Sequence, residues 1–167
     1  MMKLMGSLMI AGASFAAGAY FSGNFRKRLV QLRAAENMTS QLILYFRCSG
    51  FDVYEACEKM AADDAFSSLD FLGNVKPADD ERFSEIWKKA ISAQKSCMLD
   101  DEEKELIMSV GDFLGKTNLE GQLMSLGGIR DRLRECIEKA VPETEKKVKL
   151  YSSLSVLCGA ALLLFLI

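Results

Sequence analysis

Neither Leu4–Phe21 nor Leu150–Ile167 contains an aspartate, glutamate, lysine or arginine. Lys3 is the only charged side chain outside Arg26–Lys149, so all 23 acids and all but one of the 21 bases lie in the middle of the chain. A charge-free run of this length is a candidate membrane-spanning helix, close to the short limit of about 17 residues. The aliphatic close Leu162–Ile167 has its natural solvent in a bilayer, because water would leave it uncovered. Arg26, Lys27 and Arg28 follow the first run, and Lys146, Lys147 and Lys149 precede the second. Positive charge resists translocation, so the middle is expected in the cytoplasm with both termini pointing outward, and Lys3 alone is outvoted. The expected organisation is an N-terminal transmembrane helix at 1–24, a cytoplasmic domain at 25–149 and a C-terminal transmembrane helix at 150–167.

A cleaved leader is the rival account of the first run, since Ala17-Gly18-Ala19 resembles a small-residue cleavage site. Its basic region is a single Lys3, however, and Arg26–Arg28 come directly after it, which favours retention. Small residues four apart in the first run (Gly12 and Ala16, Ala13 and Ala17, Ser14 and Gly18) suit a close helix partner, although such spacing is common in membrane helices.

The net charge of −2 belongs to the middle segment, which shows no basic stripe interleaved with aromatics and gives no reason to expect nucleic acid. Histidine is absent, which removes the commonest general base and metal ligand together. The five cysteines (Cys48, Cys57, Cys97, Cys136 and Cys158) form no Cys-x-x-Cys pair and read as reduced thiols, most of them buried, in a cytosol-facing protein. No metal site, cofactor or catalytic residue is expected: the thiols are too far apart in sequence to chelate, and a cysteine nucleophile lacks its histidine.

Within the middle segment the apolar residues keep helical spacing. Leu29, Leu32, Met38, Leu42 and Phe46 predict a helix continuing from the first span. Phe51–Met60 predicts a second. Phe83, Ile86, Trp87, Ala90 and Ile91 predict a third, and Leu106, Ile107, Val110, Phe113 and Leu114 a fourth. Leu119, Leu123, Leu126, Leu133 and Ile137 predict a last long helix, weakened at Gly127-Gly128 and ended or kinked at Pro142. Loops are expected near Ala62–Pro77, Ser96–Asp100 and Gly115–Asn118. The clusters Asp79-Asp80-Glu81 and Asp100-Asp101-Glu102-Glu103 are expected to cap helix starts. The fold class is therefore all-α, a cytoplasmic helical bundle between two membrane helices.

Gly111-Asp-Phe-Leu-Gly115-Lys116-Thr117 resembles a phosphate-binding loop. That loop needs four residues between its glycines and a strand before them, whereas this segment has three and an amphipathic helix. The better reading is helix, turn, helix, with Gly115 ending one helix and Asn118 capping the next. Gly111, Leu114, Gly115, Thr117, Asn118 and Gln122 then make a structural hinge. Glu81, Glu85, Lys88 and Lys89 form a candidate docking face, although surface charges are more often only solvated.

Taken together, these segments resemble the stage III sporulation protein AB family over essentially the whole length. The resemblance begins at Lys3-Leu4-Met5-Gly6 and the Arg/Leu-rich helix after it. It continues through Leu114-Gly115-x-Thr117-Asn118 with Gln122 following. It closes with Lys147-x-Lys149-Leu150-Tyr151-x-x-Leu154-x-Val156-Leu157-x-Gly159 and an aliphatic end. The sequence departs from the family pattern at Asn118, where aspartate is usual, at Ser155, where glycine is usual, and near Leu42-Ile43, where an acid is usual. The resemblance implies a cytoplasmic bundle like that of the inner-membrane platform proteins of type II secretion and type IV pilus machines. It also implies a non-enzymatic coupling role in the channel complex between mother cell and forespore, in the outer forespore membrane. The implied partners are the complex's cytoplasmic hexameric ATPase and its other membrane proteins. Self-association is left open. The alternative from another class is a membrane-tethered nucleotide-binding protein using Gly115-Lys116-Thr117.

Overall fold

The computed structural model describes residues 2–48, 52–78, 81–94, 96–114 and 118–166, with backbone only for 2–19, 21–22, 48, 158–159 and 162–166. Among the described residues there are helices and no strands: α1 (Met2–Cys48), α2 (Val53–Ala61), α3 (Phe83–Ala93), α4 (Asp101–Phe113) and α5 (Leu119–Leu166). Two 3-10 turns, Asp64–Phe66 and Asp70–Asn74, lie between α2 and α3. The chain divides into two compact units, one of Val30–Glu138 and one of Met1–Leu29 with Lys139–Ile167.

The unit Val30–Glu138 is a helical bundle. The α1 stripe at Leu32, Ala35, Met38, Leu42 and Phe46 is buried, as its three- and four-residue spacing requires. α3 buries Ile86, Trp87, Ala90 and Ile91, and packs on α4 through Leu106, Ile107 and Val110. α5 contributes Leu126, Ile129 and Leu133. Each large side chain removed from water in this way contributes roughly 1.5–3 kcal/mol.

Local chemistry sets the helix starts. The Asp52 carboxylate accepts from the Tyr54 amide at 3.4 Å and opens α2, while Phe51 lies outside the described residues. Asp100 and Glu103 form a capping box at α4, in which the Asp100 amide donates to Glu103 Oε2 at 2.9 Å. Asn118 Oδ1 accepts from the Gly121 amide at 3.1 Å and opens α5. The start of α3 differs from expectation. Its N-cap is Arg82, with no side-chain cap. Glu81 is used otherwise, and Asp79 and Asp80 lie outside the described residues.

Two further expectations are corrected. The segment Ala62–Pro77 is not a plain loop: Phe66, Leu69, Phe71, Leu72 and Val75 are all buried, and the second 3-10 turn packs against α2 and α3. Phe66, Leu69, Leu72 and Val75 stand three residues apart, the period of a 3-10 turn rather than of an α-helix. Of the end or kink expected at Pro142, the end is overturned, because Pro142 lies inside α5. Proline there forfeits its own bond to the Glu138 carbonyl, a cost of about 3 kcal/mol that tertiary contacts can offset. Ala140 on one side is buried, and Lys147 and Tyr151 on the other side hold Phe25. Gly127 and Gly128 also lie within α5, between the buried Leu126 and Ile129.

In the unit of Met1–Leu29 and Lys139–Ile167, Phe25 stacks on Tyr151 with ring centroids 5.7 Å apart. Lys147 Nζ stands 5.2 Å over the Phe25 ring, while its partner Glu143 lies at 3.6 Å. α1 and α5 are thereby joined beside their basic clusters. No helix among the described residues is long and apolar enough to cross a membrane. In the first expected span only Tyr20, Gly23 and Asn24 have described side chains, and in the second 158–159 and 162–167 lack them.

Candidate docking surface

α3 turns its apolar face inward and leaves Glu85, Lys88 and Lys89 exposed. Lys89 Nζ donates to Glu81 Oε1 at 2.6 Å, which closes Glu81 back onto the helix it precedes. Lys88 Nζ reaches Asp112 of α4, 2.9 Å from Oδ1 and 2.7 Å from Oδ2. Both pairs are solvent-facing, so each contributes at most about 1 kcal/mol. Lys88 is therefore a tie between α3 and α4, and Glu85 is the acid of the set with no ion pair among the described residues.

The turn residues separate into distinct environments. Gly111 is buried inside α4, beneath Trp87. Leu114 is the buried C-cap residue of α4, and its amide donates to the Val110 carbonyl at 3.2 Å. Asn118 is exposed and caps α5, and Gln122, half-buried, donates its amide to the Asn118 carbonyl at 3.0 Å. Gly115, Lys116 and Thr117 lie outside the described residues. A phosphate-binding loop follows a buried strand, but this turn follows helix α4, so its setting does not carry nucleotide binding. Among the described residues no three cysteine or carboxylate side chains are grouped as metal ligands would be.

Among the basic residues, Arg26, Lys27, Lys146 and Lys149 are exposed. Arg28 and Lys147 are half-buried, Lys147 over the Phe25 ring. Beyond them Leu150, Leu154, Val156 and Leu157 are exposed by 51–66 % along the described part of α5.

A polar cluster went unread in the sequence. Gln31, 4 % exposed on α1, donates through Nε2 to the Ser96 carbonyl at 2.8 Å and the Ser68 carbonyl at 3.3 Å. Its Oε1 accepts from the Met98 amide at 2.8 Å. Gln94 Nε2 also reaches the Ser68 carbonyl, at 3.1 Å, and Ser96 Oγ donates to Asp70 at 2.6 Å. One buried amide thus joins α1 to the α3–α4 connection and to the segment before the second 3-10 turn. The signal was positional: Gln31 stands four residues before Ala35 and seven before Met38, on the buried face. Burial pushes the Cys57 thiol up to about 12, aided by the charge of Asp52, and leaves it unreactive. Burial, with Asp52 and Cys57 adding to it, also raises the Tyr54 hydroxyl.

Comparison with known proteins adds identity to this geometry. A family model described as stage III sporulation protein AB matches residues 3–167. Comparison with curated proteins gave no match, and neither did comparison with solved structures. The match covers the turn, both basic clusters and both charge-free ends, and the chain therefore belongs to the stage III sporulation protein AB family, whose role is in sporulation.

Proposed function

We propose that the chain is a non-enzymatic platform of the channel complex between mother cell and forespore. In this reading α1 and α5 are held in the outer forespore membrane through 1–24 and 150–167. The bundle within 25–149 faces the mother-cell cytoplasm and docks the hexameric ATPase of the same complex. The observation that carries it is the exposure of Leu150, Leu154, Val156 and Leu157 directly beyond Lys146, Lys147 and Lys149. Four exposed aliphatic side chains on successive turns need cover, and lipid supplies it, while the lysines resist crossing. Family membership supports the sporulation setting. Movement or binding energy from the ATPase then passes through a bundle whose elements are cross-linked by Gln31 and by the Lys88–Asp112 pair.

The test is co-purification of the detergent-solubilised full chain with the ATPase, followed by Glu85→Lys. Glu85 is the appropriate position because reversing Lys88 would also set a new acid against Asp112. Retention of the ATPase by the wild type and its loss with Glu85→Lys support docking on α3. Failure of the wild type to retain the ATPase removes the docking role.

A further inference from the structure

We propose that α1 and α5 together form a binding site for a phospholipid whose headgroup carries net negative charge. The proposal rests on the platform reading and names the lipid that the membrane ends hold. The unit of Met1–Leu29 and Lys139–Ile167 is where the chain's positive charge collects. Apart from Lys3, at the far end of α1, it holds seven bases against Glu143 and Glu145, a balance of +5. The bundle of Val30–Glu138 carries −8. An anionic surface therefore attracts the first unit and repels the second.

The stacking of Phe25 on Tyr151, with Lys147 over the Phe25 ring, sets the two basic clusters side by side. Arg26 and Lys27 on α1, with Lys146 and Lys149 on α5, are exposed, and none has an ion pair among the described residues. One face of α5 then joins charge to hydrocarbon. Lys146, Leu150, Leu154 and Leu157 follow one another at four, four and three residues, so they share a face, and all are exposed. From Lys146 to Leu157 this face is about 16 Å long, given the helical rise. One leaflet of hydrocarbon is about 15 Å thick, half of the bilayer core. The face thus matches one headgroup with the acyl chain attached to it. A free phosphate would meet the cations and leave the leucines bare. A zwitterionic headgroup brings its own cation, which the four unpaired side chains repel.

The experiment reconstitutes the full chain in phosphatidylcholine vesicles and reads, by electron spin resonance, the motionally restricted fraction of a trace spin-labelled lipid. Spin-labelled phosphatidylglycerol is compared with spin-labelled phosphatidylcholine. The anionic lipid should associate at least about fivefold more strongly, the effect of one basic side chain at an anionic headgroup. The preference should fall as salt rises. Arg26→Gln, Lys27→Gln, Lys146→Gln and Lys149→Gln together should abolish it. Glu145→Gln should raise it, and a change of that sign cannot come from misfolding. Equal association of the two lipids would overturn the proposal, as would an unchanged preference in the four-site variant. So would displacement of the labelled lipid by soluble glycerol phosphate at the same concentration, which would make the cations a site for free phosphate. Failure of the chain to enter the vesicles would remove the platform reading and this site together, whereas entry with equal association removes the site alone.

Discussion

The indole of Trp87 lies directly on the backbone of Gly111: a Cβ at that glycine would stand 2.6 Å from Trp87 Cδ1 and 2.9 Å from its Cβ. The same ring donates Nε1–H to the Ile107 carbonyl at 2.8 Å, one turn earlier on α4. Phe71 and Phe83 stand with ring centroids 5.2 Å and 5.6 Å from Trp87, so it has little room to retreat. Gly111→Ala should therefore destabilise the bundle. Overpacking costs about 1–3 kcal/mol and exceeds the roughly 1 kcal/mol that alanine gains over glycine inside a helix. Urea denaturation read by the fluorescence of Trp87, the chain's one tryptophan, measures both the loss and the displaced ring.

Gln31→Leu keeps the size of the side chain but leaves the Ser96 carbonyl and the Met98 amide without their partner. The expected cost is about 1–3 kcal/mol in all, since a stranded buried group costs about that much and these two are only part-buried. Hydrogen exchange gives the specific readout: the Met98 amide should lose protection while the interior of α4 keeps it.

These two relationships mark where the sequence could be read and where it could not. The stripes Leu32–Phe46 and Ile86–Ile91 follow the helical period, so they predicted both helices and their buried faces. Asp100 with Glu103 is a local pattern and was legible as a helix start. Local sequence places Gly111 in a hinge because the tryptophan that requires it lies 24 residues away, and spacing does not reveal that contact. Phe66 to Val75 falls within a stretch that local sequence marks as a loop, because its burial depends on α2 and α3. Local propensity favours an end or a kink at Pro142, but the burial of Ala140 and the Phe25–Tyr151 contact around the helix that continues there lie beyond local propensity.

Ser68 carries a buried hydroxyl with no hydrogen-bond partner among the described residues, although its carbonyl accepts from both Gln31 and Gln94. Ser68→Ala removes the unpaired oxygen and spares the carbonyl. It should leave stability unchanged or raise it by up to about 1 kcal/mol. The midpoint of urea denaturation checks this, and a loss above that size would show that the hydroxyl has work in the fold.

Cys57 should resist alkylation in the folded chain, whereas Cys97 and Cys136, both half-buried, should react first. The folded state holds the Cys57 proton from the thiol's ordinary value near 9 up to about 12. Its contribution to stability is then complete below about pH 9 and is lost as pH rises toward 12. Comparing alkaline unfolding of the wild type with Cys57→Ala isolates this effect from lysine and tyrosine titration: the variant should lose less stability over that window.

Lipid cover of both ends of the chain is tested most directly by alkaline-carbonate extraction of cell membranes. The full-length protein is expected to stay in the washed membrane pellet and to leave it only with detergent. Its recovery in the soluble fraction after the wash would contradict the platform reading.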